Sequence, residues 1–532
     1  MLPQNQVLPH TLLAAASERP QTLAMVDVDG RRVTNEELAG IMHRWAASFA
    51  SRGVAAGHTV LTMMPNCFEA YYAWLGLAWL RAIEVPTNTM YRGSMLAYVL
   101  NNSEAEVAVI SARYLDRLPA VVPQLEHLKT VIVPDATGDL PDLPFDVVTR
   151  ESFLTPSPST APGAGPDYFD ISAMIYTSGT TGPSKGVLVP WAELYEFVTL
   201  QPPGSLDPGR GYYSTYPSFH ISGKVGLYFS AVRGGVLVLR ETFSLSEFLH
   251  DIRANDCQAT GLLGPLAAML MRSAPRPDDA DTPLESVFMG PIIPEIDEFR
   301  RRFGVQVGTG FGMTEVGVPI ASDGFNLANI RSCGRRRSGP PGYQVRVVDE
   351  HDEPVPPGTV GELVARSEEP WVLNAGYWRM PDKTSEAWRN GWFHTGDAFM
   401  EDEDGNFYFV DRVKDAIRRR GENISSFEVE AGVNSHPAVQ ESAVIAVPSE
   451  LGEDDVKAVI VLRPDETLEP GELIEWLIPR MPRFMIPRYV ELVDALPKTD
   501  ATFRTQKMKL RENPVSEHTW DRDAAGVVLP PA

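Results

Sequence analysis

The chain contains, at residues 175–187, the stretch IYTSGTTGPSKGV, a loop rich in glycine and hydroxyl groups that ends in a single lysine. Gly179, Gly182 and Gly186 leave room for backbone N–H groups to turn around phosphate oxygens. Lys185 adds a positive charge that can face an anion. The apolar run before it, at residues 171–175, predicts a strand that delivers the loop to a sheet edge. The stretch therefore predicts a phosphate-binding loop. Its hydroxyl donors are Ser178, Thr180 and Thr181.

The order of residues in this loop differs from that of the common NTPase phosphate loop, which needs Ser or Thr directly after Gly-Lys. Here Ser184 precedes Lys185 and Gly186 follows it. A polar surface linker without chemistry is the alternative interpretation, because Ser, Thr and Gly often cluster in loops. The density of glycine and hydroxyl groups beside one lysine favours phosphate binding.

Composition narrows the class of protein. With 532 residues the chain is too long for one core, and we expect about three to four compact units. At 43% hydrophobic and 22% charged residues it is an ordinary globular sequence. A formal charge of −23 argues against nucleic acid or an anionic membrane surface as a partner. An anionic ligand must therefore be held by local donors.

The cellular compartment is predicted from the spacing of the cysteines and from the lack of a recognisable signal peptide or membrane-spanning stretch. The three cysteines are widely spaced, which predicts a reducing compartment and no disulfide framework. No Cys/His spacing suits a metal site. The first 20 residues lack the basic and apolar regions of a signal peptide, and we find no apolar stretch of about 18 residues that would span a membrane. We expect a cytoplasmic enzyme.

Apolar runs alternate with amphipathic stretches through most of the chain, which predicts an α/β fold. Strands are predicted at 59–64, 107–110, 130–133, 236–239 and 305–307, and helices at 36–51, 67–81 and 245–255. A last unit is predicted to begin near residue 411, with strands at 442–447 and 457–462 and a helix at 470–478. Residues 512–532 have little apolar content, which predicts a flexible tail.

Residues 311–315, Phe-Gly-Met-Thr-Glu, bring an aromatic ring, a hydroxyl and a carboxylate together after the predicted strand 305–307. An aromatic ring can stack on a purine, and a carboxylate oxygen can hold Mg²⁺. A strand end followed by a turn is the alternative interpretation of so short a stretch.

Further stretches combine small and charged residues. The run at 394–397, His-Thr-Gly-Asp, ends in Asp397, which suits either a turn or the two hydroxyls of a ribose. Residues 411–430 suit either a solvated charged segment or a binding motif, and they lead into a helix with Ser425 or Ser426 as N-cap. His220 follows Phe219, and a structural histidine is the alternative to a ligand-binding one.

In this order, these stretches resemble the motifs of the adenylate-forming superfamily, which comprises acyl-CoA ligases, peptide-synthetase adenylation domains and luciferases. The loop is most similar to those of crotonobetaine/carnitine-CoA ligase-like and fatty acyl-CoA ligase-like members. The resemblance implies a large N-terminal domain, residues 1–411, of layered α/β subdomains with a distorted β-barrel. It also implies a small mobile α+β domain at 412–532 that closes over the site.

The resemblance implies roles for individual residues. Lys185, Thr314, Glu315 and His220 would be catalytic, and Glu315 would hold Mg²⁺ when ATP is used. Lys414 would be the hinge of the small domain, and Gly421 and Glu422 would line the coenzyme A tunnel. His220, Phe288, Met289 and Gly290 would form the acyl pocket. The implied nucleotide-binding residues are Thr177, Ser178, Gly179, Thr180, Thr181, Gly182, Lys185, Gly310, Phe311, Gly312, Met313, Thr314, Asp397 and Arg412, with Phe311 in place of the usual tyrosine.

The chain departs from the family pattern near its C-terminus. The family's last motif is Leu-Pro-Lys/Arg-Thr, two residues, then Gly-Lys, whose lysine bridges the substrate carboxylate and the α-phosphate. Here residues 496–511 read LPKTDATFRTQKMKLR. Counting forward from Thr499, the lysine position holds Phe503, and counting back from Leu510 it holds Arg504. A planar guanidinium does not replace a compact ammonium between two anions.

A second departure lies at residues 288–293, Phe-Met-Gly-Pro-Ile-Ile, where the family usually has Gly-Gly-Ala-Pro. Added bulk at this wall predicts a pocket for an acid other than a simple fatty acid. We therefore expect a ligase that joins a bulky hydrophobic carboxylic acid to coenzyme A through an acyl-adenylate, with AMP or ATP and Mg²⁺ as cosubstrates. The missing lysine adds the hypothesis that adenylation is impaired.

Several alternatives stay open on the sequence alone. Another basic residue, Lys498, Lys507 or Arg504, could take the lysine's role in a full ATP-dependent synthetase. The acceptor could be a carrier protein instead of coenzyme A, or the chain could be a non-catalytic nucleotide-binding relative. A separate enzyme could supply the acyl-adenylate. A role in secondary metabolism is a further hypothesis, and the oligomeric state is open, with a dimer as one alternative.

Overall fold

The computed structural model describes residues 3–136, 140–155, 163–177, 184–327, 329–338, 342–412, 417–419, 422–424, 426–449, 454–481, 483–499, 505–527 and 529. The chain forms two compact units. The first comprises Met1–Val345 and Ala365–Phe393, and the second comprises Arg346–Val364 and His394–Ala532. The domain boundary predicted between residues 411 and 412 lies inside the second unit by this division, and it stays a prediction.

The helices and strands follow in chain order. Up to residue 154 they are α1 (Leu8–Glu18), β1 (Leu23–Asp27), β2 (Arg32–Thr34), α2 (Asn35–Ser51), β3 (Thr59–Met63), α3 (Phe68–Trp79), β4 (Ile83–Pro86), α4 (Gly93–Asn102), β5 (Val107–Ile110), β6 (Thr130–Val133), β7 (Asp146–Thr149) and α5 (Arg150–Leu154). From residue 171 to 336 they are β8 (Ile171–Thr177), β9 (Lys185–Pro190), α6 (Trp191–Val198), β10 (Gly211–Ser214), α7 (Ile221–Arg233), β11 (Val236–Leu239), α8 (Phe248–Ala254), β12 (Cys257–Leu263), α9 (Gly264–Arg272), β13 (Ser286–Gly290), α10 (Ile296–Phe303), β14 (Gln306–Gly308), β15 (Gly310–Met313), β16 (Gly317–Ala321) and β17 (Gly334–Arg336).

The remaining elements begin near residue 343. They are β18 (Tyr343–Val348), β19 (Val360–Ser367), α11 (Pro381–Ala387), β20 (Phe393–Glu401), β21 (Asn406–Arg412), β22 (Ile417–Arg419), β23 (Glu422–Ile424), α12 (Ser426–Asn434), β24 (Val439–Pro448), β25 (Asp454–Leu462), α13 (Pro470–Leu477), β26 (Tyr489–Leu492), α14 (Lys507–Arg511) and β27 (Trp520–Asp521).

The first unit is built on two seven-stranded sheets. In the first sheet the strand order is β14-β13-β12-β10-β11-β1-β2, and in the second it is β7-β6-β5-β3-β4-β8-β9. Strands pair in parallel within both sheets except at one edge of each, where β2 pairs with β1 and β9 pairs with β8 in antiparallel fashion. Ligands bind such sheets beyond the carboxyl ends of the parallel strands. These ends therefore position the candidate site.

Helices α2 and α3 pack together, and α3 also contacts β3 and β4 of the second sheet. A capping box starts α2, because Thr34 Oγ1 accepts from the Glu37 N–H at 3.3 Å and Glu37 Oε2 accepts from the Thr34 N–H at 2.8 Å. Every residue of α3 is buried, as expected for a helix that is apolar on all faces. Where the two helices meet, a Cβ built on Gly76 would lie 2.6 Å from Trp45 Cβ. Glycine is therefore required at this contact.

The second unit contains its own hydrophobic core. In it β24, β25, β26 and β27 form a four-stranded sheet, with β24 antiparallel and β26 parallel to β25. Helices α12 and α13 contribute Val429, Leu473 and Leu477 to the core against this sheet. Near the start of the unit, β20 and β21 form an antiparallel pair.

The strands predicted at 107–110, 130–133 and 236–239 match β5, β6 and β11 in both bounds. The predicted helices 36–51 and 470–478 match α2 and α13 within one residue. The predicted helices 67–81 and 245–255 are longer than α3 and α8 at both ends. The segment after residue 512 differs from the predicted tail. It forms β27 against β26, and Arg522 is buried with its guanidinium donating to the carbonyls of Ile486 and Pro487 at 3.4 and 3.3 Å. Hydrogen bonds to backbone carbonyls hold this polar segment in place. Its low apolar content therefore did not predict that it would be ordered.

Within the part of the chain that the structure describes, no helix has both the length and the apolar character needed to cross a membrane.

We predict that Gly76→Ala destabilises the first unit. The added methyl group meets the α2 backbone and the Trp45 side chain, so the free energy of unfolding should fall by about 1–3 kcal/mol. Gly40→Ala is the matched control, because Gly40 is exposed on α2 and its Cβ would meet nothing within 4 Å. That change should raise the free energy of unfolding by about 0.5–1 kcal/mol. Urea denaturation of both variants measures the difference, and equal effects would contradict the packing argument.

Candidate active site

The lysine of the predicted phosphate-binding loop begins an edge strand. Strands β8 and β9 form an antiparallel hairpin in which Thr177 and Lys185 lie directly opposite each other. The prediction that a strand delivers the loop to a sheet edge is therefore confirmed. A Cβ on Gly186 would lie 2.9 Å from Met174 Sδ and 3.3 Å from Tyr176 Cζ. The structure thus gives Gly186 a packing role, while the loop tip, residues 178–183, lies outside the described residues.

Glu315 brings the second motif against this hairpin. Its Oε1 accepts from Thr177 Oγ1 at 3.3 Å and from the Tyr377 hydroxyl at 3.4 Å. Lys185 Nζ lies 4.2 Å from the centroid of the Tyr377 ring, in a cation–π contact. Burial raises the pKa of the Glu315 carboxyl, and the charge of Lys185 opposes that rise. Two motifs that are distant in sequence therefore form one polar cluster of Thr177, Lys185, Glu315 and Tyr377.

Asn374 and Tyr377 complete this cluster and were not predicted from the sequence. The Asn374 backbone N–H and Nδ2 both donate to the Glu315 carbonyl, at 3.1 and 2.7 Å. Asn374 Oδ1 accepts from the Gly376 N–H at 2.8 Å, which fixes the turn leading to Tyr377. The stretch 374–378 shows neither helical nor strand periodicity. Its only sequence signal is an aromatic pair beside Gly, which is common in loops.

The glycines of residues 310–315 let β15 lie close to β16. A Cβ on Gly310 would lie 2.7 Å from the Ile320 carbonyl oxygen, and one on Gly312 would lie 2.6 Å from the Gly317 carbonyl oxygen. Phe311 is paired with Ile320 and keeps part of its ring exposed, whereas Thr314 is buried. The glycines of this motif thus allow a close backbone approach to the neighbouring strand.

A second buried carboxyl, that of Glu193, lies on α6. Its side chain is fully buried, and among the described residues neither of its carboxyl oxygens has a hydrogen-bond partner. Burial and, secondarily, the charge of Glu315 raise the pKa of Glu193 well above its usual range. At Glu315 two hydroxyl donors and a nearby ammonium oppose the effect of burial, so the charged form is better supported at Glu315 than at Glu193.

The predicted acyl-pocket residues 288–290 form the carboxyl-terminal part of β13, a parallel strand of the first sheet, and His220 lies after β10 of the same sheet. Phe288 and Gly290 lie on the partly exposed face of β13. Met289 alternates with them and is buried in a core cluster with Val287 and Leu262. The structure thus places Met289 in the core, on the opposite face from the predicted wall. Thr309 Oγ1 donates to the Met289 carbonyl at 2.8 Å and ties β13 to the start of β15.

His220 caps α7. Its Nδ1 accepts from the Ser222 N–H at 3.3 Å, so the neutral ring carries its proton on Nε2. Burial lowers the pKa of His220 to about 4. The predicted pocket histidine is therefore also structural, which was the alternative interpretation, and its ring is neutral at physiological pH.

The second unit holds the predicted ribose-binding residue. Asp397 in β20 lies directly opposite Arg412 in β21, so these two predicted nucleotide-binding residues are register partners. The Asp397 side chain is buried, and its N–H donates to Thr395 Oγ1 at 3.1 Å. Thr395 Oγ1 in turn donates to the Leu363 carbonyl at 2.7 Å. Local hydrogen bonds thus fix the end of the 394–397 motif.

Some predicted site residues lie outside the described residues: 178–183, Lys414, Gly421, Phe503 and Arg504. For Arg412 and Glu422 the structure describes the backbone only.

The polar cluster suits Mg²⁺ when phosphate is present. Glu315 and Thr177 offer a carboxylate and a hydroxyl oxygen, the ligand types that Mg²⁺ prefers. Within the described residues, no three His, Cys, Asp or Glu side chains come together as a metal site. Mg²⁺ is usually bound by one or two protein oxygens together with phosphate oxygens of the substrate, and Glu315 and Thr177 would supply the protein oxygens.

We predict that His220 makes stability depend on pH. The pKa of His220 is about 4 in the folded protein and 6.5 for the unperturbed group, so the unfolded chain binds the proton first as pH falls. The stability this provides is present above about pH 6.5 and is lost towards pH 4. Because part of the ring is exposed, we expect a loss of about 1 kcal/mol between pH 6.5 and 5.

Urea denaturation of His220→Asn at both pH values tests this, since asparagine preserves the cap. The variant should lose less stability than the wild-type protein over this interval. His351→Asn is the control, because the His351 side chain is 77% exposed. Equal losses in His220→Asn and wild type would contradict the assignment.

Comparison with known proteins identifies the family of the chain. The family model for the AMP-binding enzyme matches residues 12–378, and that for the AMP-binding enzyme C-terminal domain matches residues 428–502. Two crotonobetaine/carnitine–CoA ligases are 30% identical to this chain. The one from Citrobacter koseri aligns over 87% of this chain and 89% of its own length, and the one from Proteus mirabilis over 91% and 95%.

Solved structures share the fold. An anthranilate CoA ligase in complex with anthranoyl-AMP has a TM-score of 0.84 at 24% identity and covers 99% of both chains. An o-succinylbenzoate CoA synthetase from Bacillus subtilis, in complex with its acyl-adenylate intermediate, has a TM-score of 0.80 at 23% identity over 94% of this chain and 97% of its own. The fold class and the resemblance predicted from the motifs are confirmed: the chain belongs to the family of AMP-binding, adenylate-forming enzymes.

Proposed function

We propose that this protein is an acid–thiol ligase that forms an acyl-CoA thioester from an acyl-adenylate. The observation that carries the proposal is the cluster of Lys185, Glu315 and Thr177, which joins the two phosphate-handling motifs of the family in one buried site. The names of the relatives add support, because those at 30% identity are CoA ligases and two solved neighbours hold acyl-adenylates.

The complete reaction has two steps. In the first, a carboxylate oxygen attacks the α-phosphorus of ATP, an O–P bond forms and pyrophosphate leaves with the electron pair of the broken bond. In the second, the coenzyme A sulfur attacks the acyl carbon, a C–S bond forms and AMP leaves. The thiol proton goes to solvent. Lys185 faces phosphate charge in both steps, and Mg²⁺ held by Glu315 would neutralise charge on the polyphosphate in the first.

The first step is impaired in our proposal because the chain lacks the lysine that would bridge carboxylate and phosphate. Two nearby lysines are already engaged within the second unit. Lys507 Nζ lies 2.8 Å from Glu430 and also donates to Ser426 Oγ. Lys498 Nζ lies 2.5 Å from Glu441. These contacts argue against either lysine taking the missing role.

The charges of the reactants explain why losing the lysine should slow adenylation but not thioester formation. Adenylation brings a carboxylate onto a polyphosphate, so a preorganised cation is needed where the two anions meet. Losing such a group costs about 10²–10³ in rate. Thioester formation begins from a mixed anhydride whose acyl carbon is already activated, and no second anion has to approach it. The chain would therefore use an adenylate made by a separate enzyme.

The acid is proposed to be bulky and hydrophobic. Phe288 stands on the partly exposed face of β13, next to Gly290, where the family carries smaller residues. An aromatic ring at this wall adds bulk and an apolar surface, which favours a hydrophobic acid other than a simple fatty acid. Coenzyme A is the proposed acceptor, supported by the names of the relatives.

We predict that the two half-reactions differ strongly in rate. A panel of hexanoic, benzoic and anthranilic acids with ATP and Mg²⁺ should give pyrophosphate at least about 10²-fold more slowly than the matching acyl-AMPs with coenzyme A give AMP. Arg504→Lys or Phe503→Lys, one for each way of counting the motif, should raise pyrophosphate release at least tenfold. Neither should change the second half-reaction. Rapid-quench assays of both products measure this.

The matched control variants are Lys498→Ala and Lys507→Ala, which remove the two engaged lysines. They should leave acid-dependent pyrophosphate release unchanged. Fast release in the wild type that either variant abolishes would establish a full ATP-dependent synthetase instead. Turnover of the acyl-AMPs with a pantetheinylated carrier protein but not with coenzyme A would indicate a carrier-loading enzyme. AMP binding without any turnover would indicate a non-catalytic relative.

A further inference from the structure

A buried ion pair joins β4 to α7 in the first unit. Glu84 and Lys224 each have a side chain only 1% exposed, and Lys224 Nζ donates directly to Glu84 Oε2. Glu84 Oε1 accepts from Thr62 Oγ1 at 2.8 Å. Lys224 Nζ also lies 4.6 Å from the ring of Trp74 in α3. The pair thus connects an element of the second sheet to a helix that packs on the first.

Stability does not account for this pair. Removing two charges from water costs more than their attraction returns unless the geometry is good, and apolar residues of similar volume often serve as well. Breaking such a pair by removing one partner is costly, whereas replacing both is often neutral. A buried pair does restrict the two elements to one relative position, which suggests a positional role.

The position in question is the first turn of α7. His220 is the N-cap of α7, and Lys224 lies four residues later, in the first turn of the helix. The buried Tyr71 hydroxyl donates to the Gly223 carbonyl at 2.8 Å. A Cβ on Gly223 would lie 2.1 Å from the Pro217 carbonyl oxygen, so this turn packs directly on the backbone of the preceding loop. Contacts from α3 and β4 therefore converge on the turn that begins with His220.

We infer that Glu84 and Lys224 form a positioning pair that holds the first turn of α7, and with it His220, at the wall of the acyl site. This inference rests on the proposed function, in which His220 lines the acyl pocket. The pair does not touch the reacting atoms. It acts through the helix, and losing it should weaken recognition of the acyl group while leaving recognition of the nucleotide intact.

The test replaces the whole buried group by apolar residues of similar volume: Thr62→Val, Glu84→Met and Lys224→Met together. Hexanoyl and benzoyl sulfamoyl adenosine serve as stable mimics of an acyl-adenylate, with AMP as the nucleotide probe. Calorimetry measures the three affinities, and hydrogen exchange measures opening of residues 217–224. Thermal unfolding compares the triple variant with the single variant Lys224→Met.

We expect Lys224→Met to lower the Tm by about 5 °C or more, because Glu84 is left buried without its partner. The triple variant should recover a Tm within about 3 °C of wild type. Its affinity for the acyl probes should nevertheless fall about tenfold, its affinity for AMP should stay within about twofold, and exchange at 217–224 should accelerate.

A similar buried group provides the matched control. In the second unit, Lys457 is 1% exposed and pairs with Glu491, and Thr519 contacts both of them at 3.2 Å. The corresponding triple variant, Lys457→Met, Glu491→Met and Thr519→Val, should leave acyl affinity and exchange at 217–224 unchanged.

The inference would be overturned if the triple variant at Thr62, Glu84 and Lys224, with its Tm recovered, bound the acyl probes as tightly as the wild type. Hydrogen exchange at 217–224 would also have to match the wild type. Failure of the proposed function would look different: the wild-type protein would bind the acyl probes no more tightly than AMP. In that case the exchange measurement still decides whether the pair holds the turn.

Discussion

Glu315 is a carboxylate kept in the interior of the first unit beside a lysine, and the candidate site depends on how that charge is balanced. Burial alone would drive the carboxyl to take up a proton. The hydroxyls of Thr177 and Tyr377 and the charge of Lys185 oppose this, and they come from separate segments of the chain. Each segment must therefore be placed by contacts of its own. The β8–β9 hairpin, the glycine-dependent approach of β15 to β16 and the Asn374 turn provide them.

The two buried carboxyls differ in the support that their surroundings give to a negative charge. Burial and the charge of Glu315 raise the pKa of Glu193 well above its usual range, whereas the charge of Lys185 opposes the rise at Glu315. In a chain whose formal charge is −23, an anionic nucleotide depends on such local balance, because the overall field repels it.

Hydrophobic periodicity predicted several strands of the two sheets of the first unit, and the apolar run at 171–175 lies in β8 of the candidate site. The strands β5, β6 and β11 are short apolar runs between polar segments, and burial on both faces makes such runs easy to recognise. Motif order predicted Lys185 and Glu315, but not the contact of Thr177 with Glu315, since sequence contains no distances. Tyr377 was missed because a tyrosine in an aperiodic loop gives no signal until the fold brings it to a carboxylate.

Met289 and the C-terminal segment show where local pattern is insufficient. Met289 belongs to the predicted pocket by its neighbours in sequence, yet alternation along β13 turns it into the core. The segment after residue 512 is polar, and its β27 is held by pairing with β26 and by an arginine that binds backbone carbonyls. Both outcomes depend on partners far away in sequence.

The ion pairs of Lys498 and Lys507 bear most directly on whether either lysine can serve adenylation. For Lys507 to serve adenylation it would have to leave Glu430, whose carboxylate also accepts from the Val444 N–H at 2.7 Å and is 17% exposed. A largely buried carboxylate that loses its ammonium partner is destabilised, so this exchange opposes the reaction it would assist. Lys498 is more exposed, and an exposed pair is worth little, so its obstacle is weaker. Lys507 therefore has more to lose than Lys498 by leaving its carboxylate partner. Thioester formation requires neither lysine to move, because the approaching thiol meets no second anion at the acyl carbon.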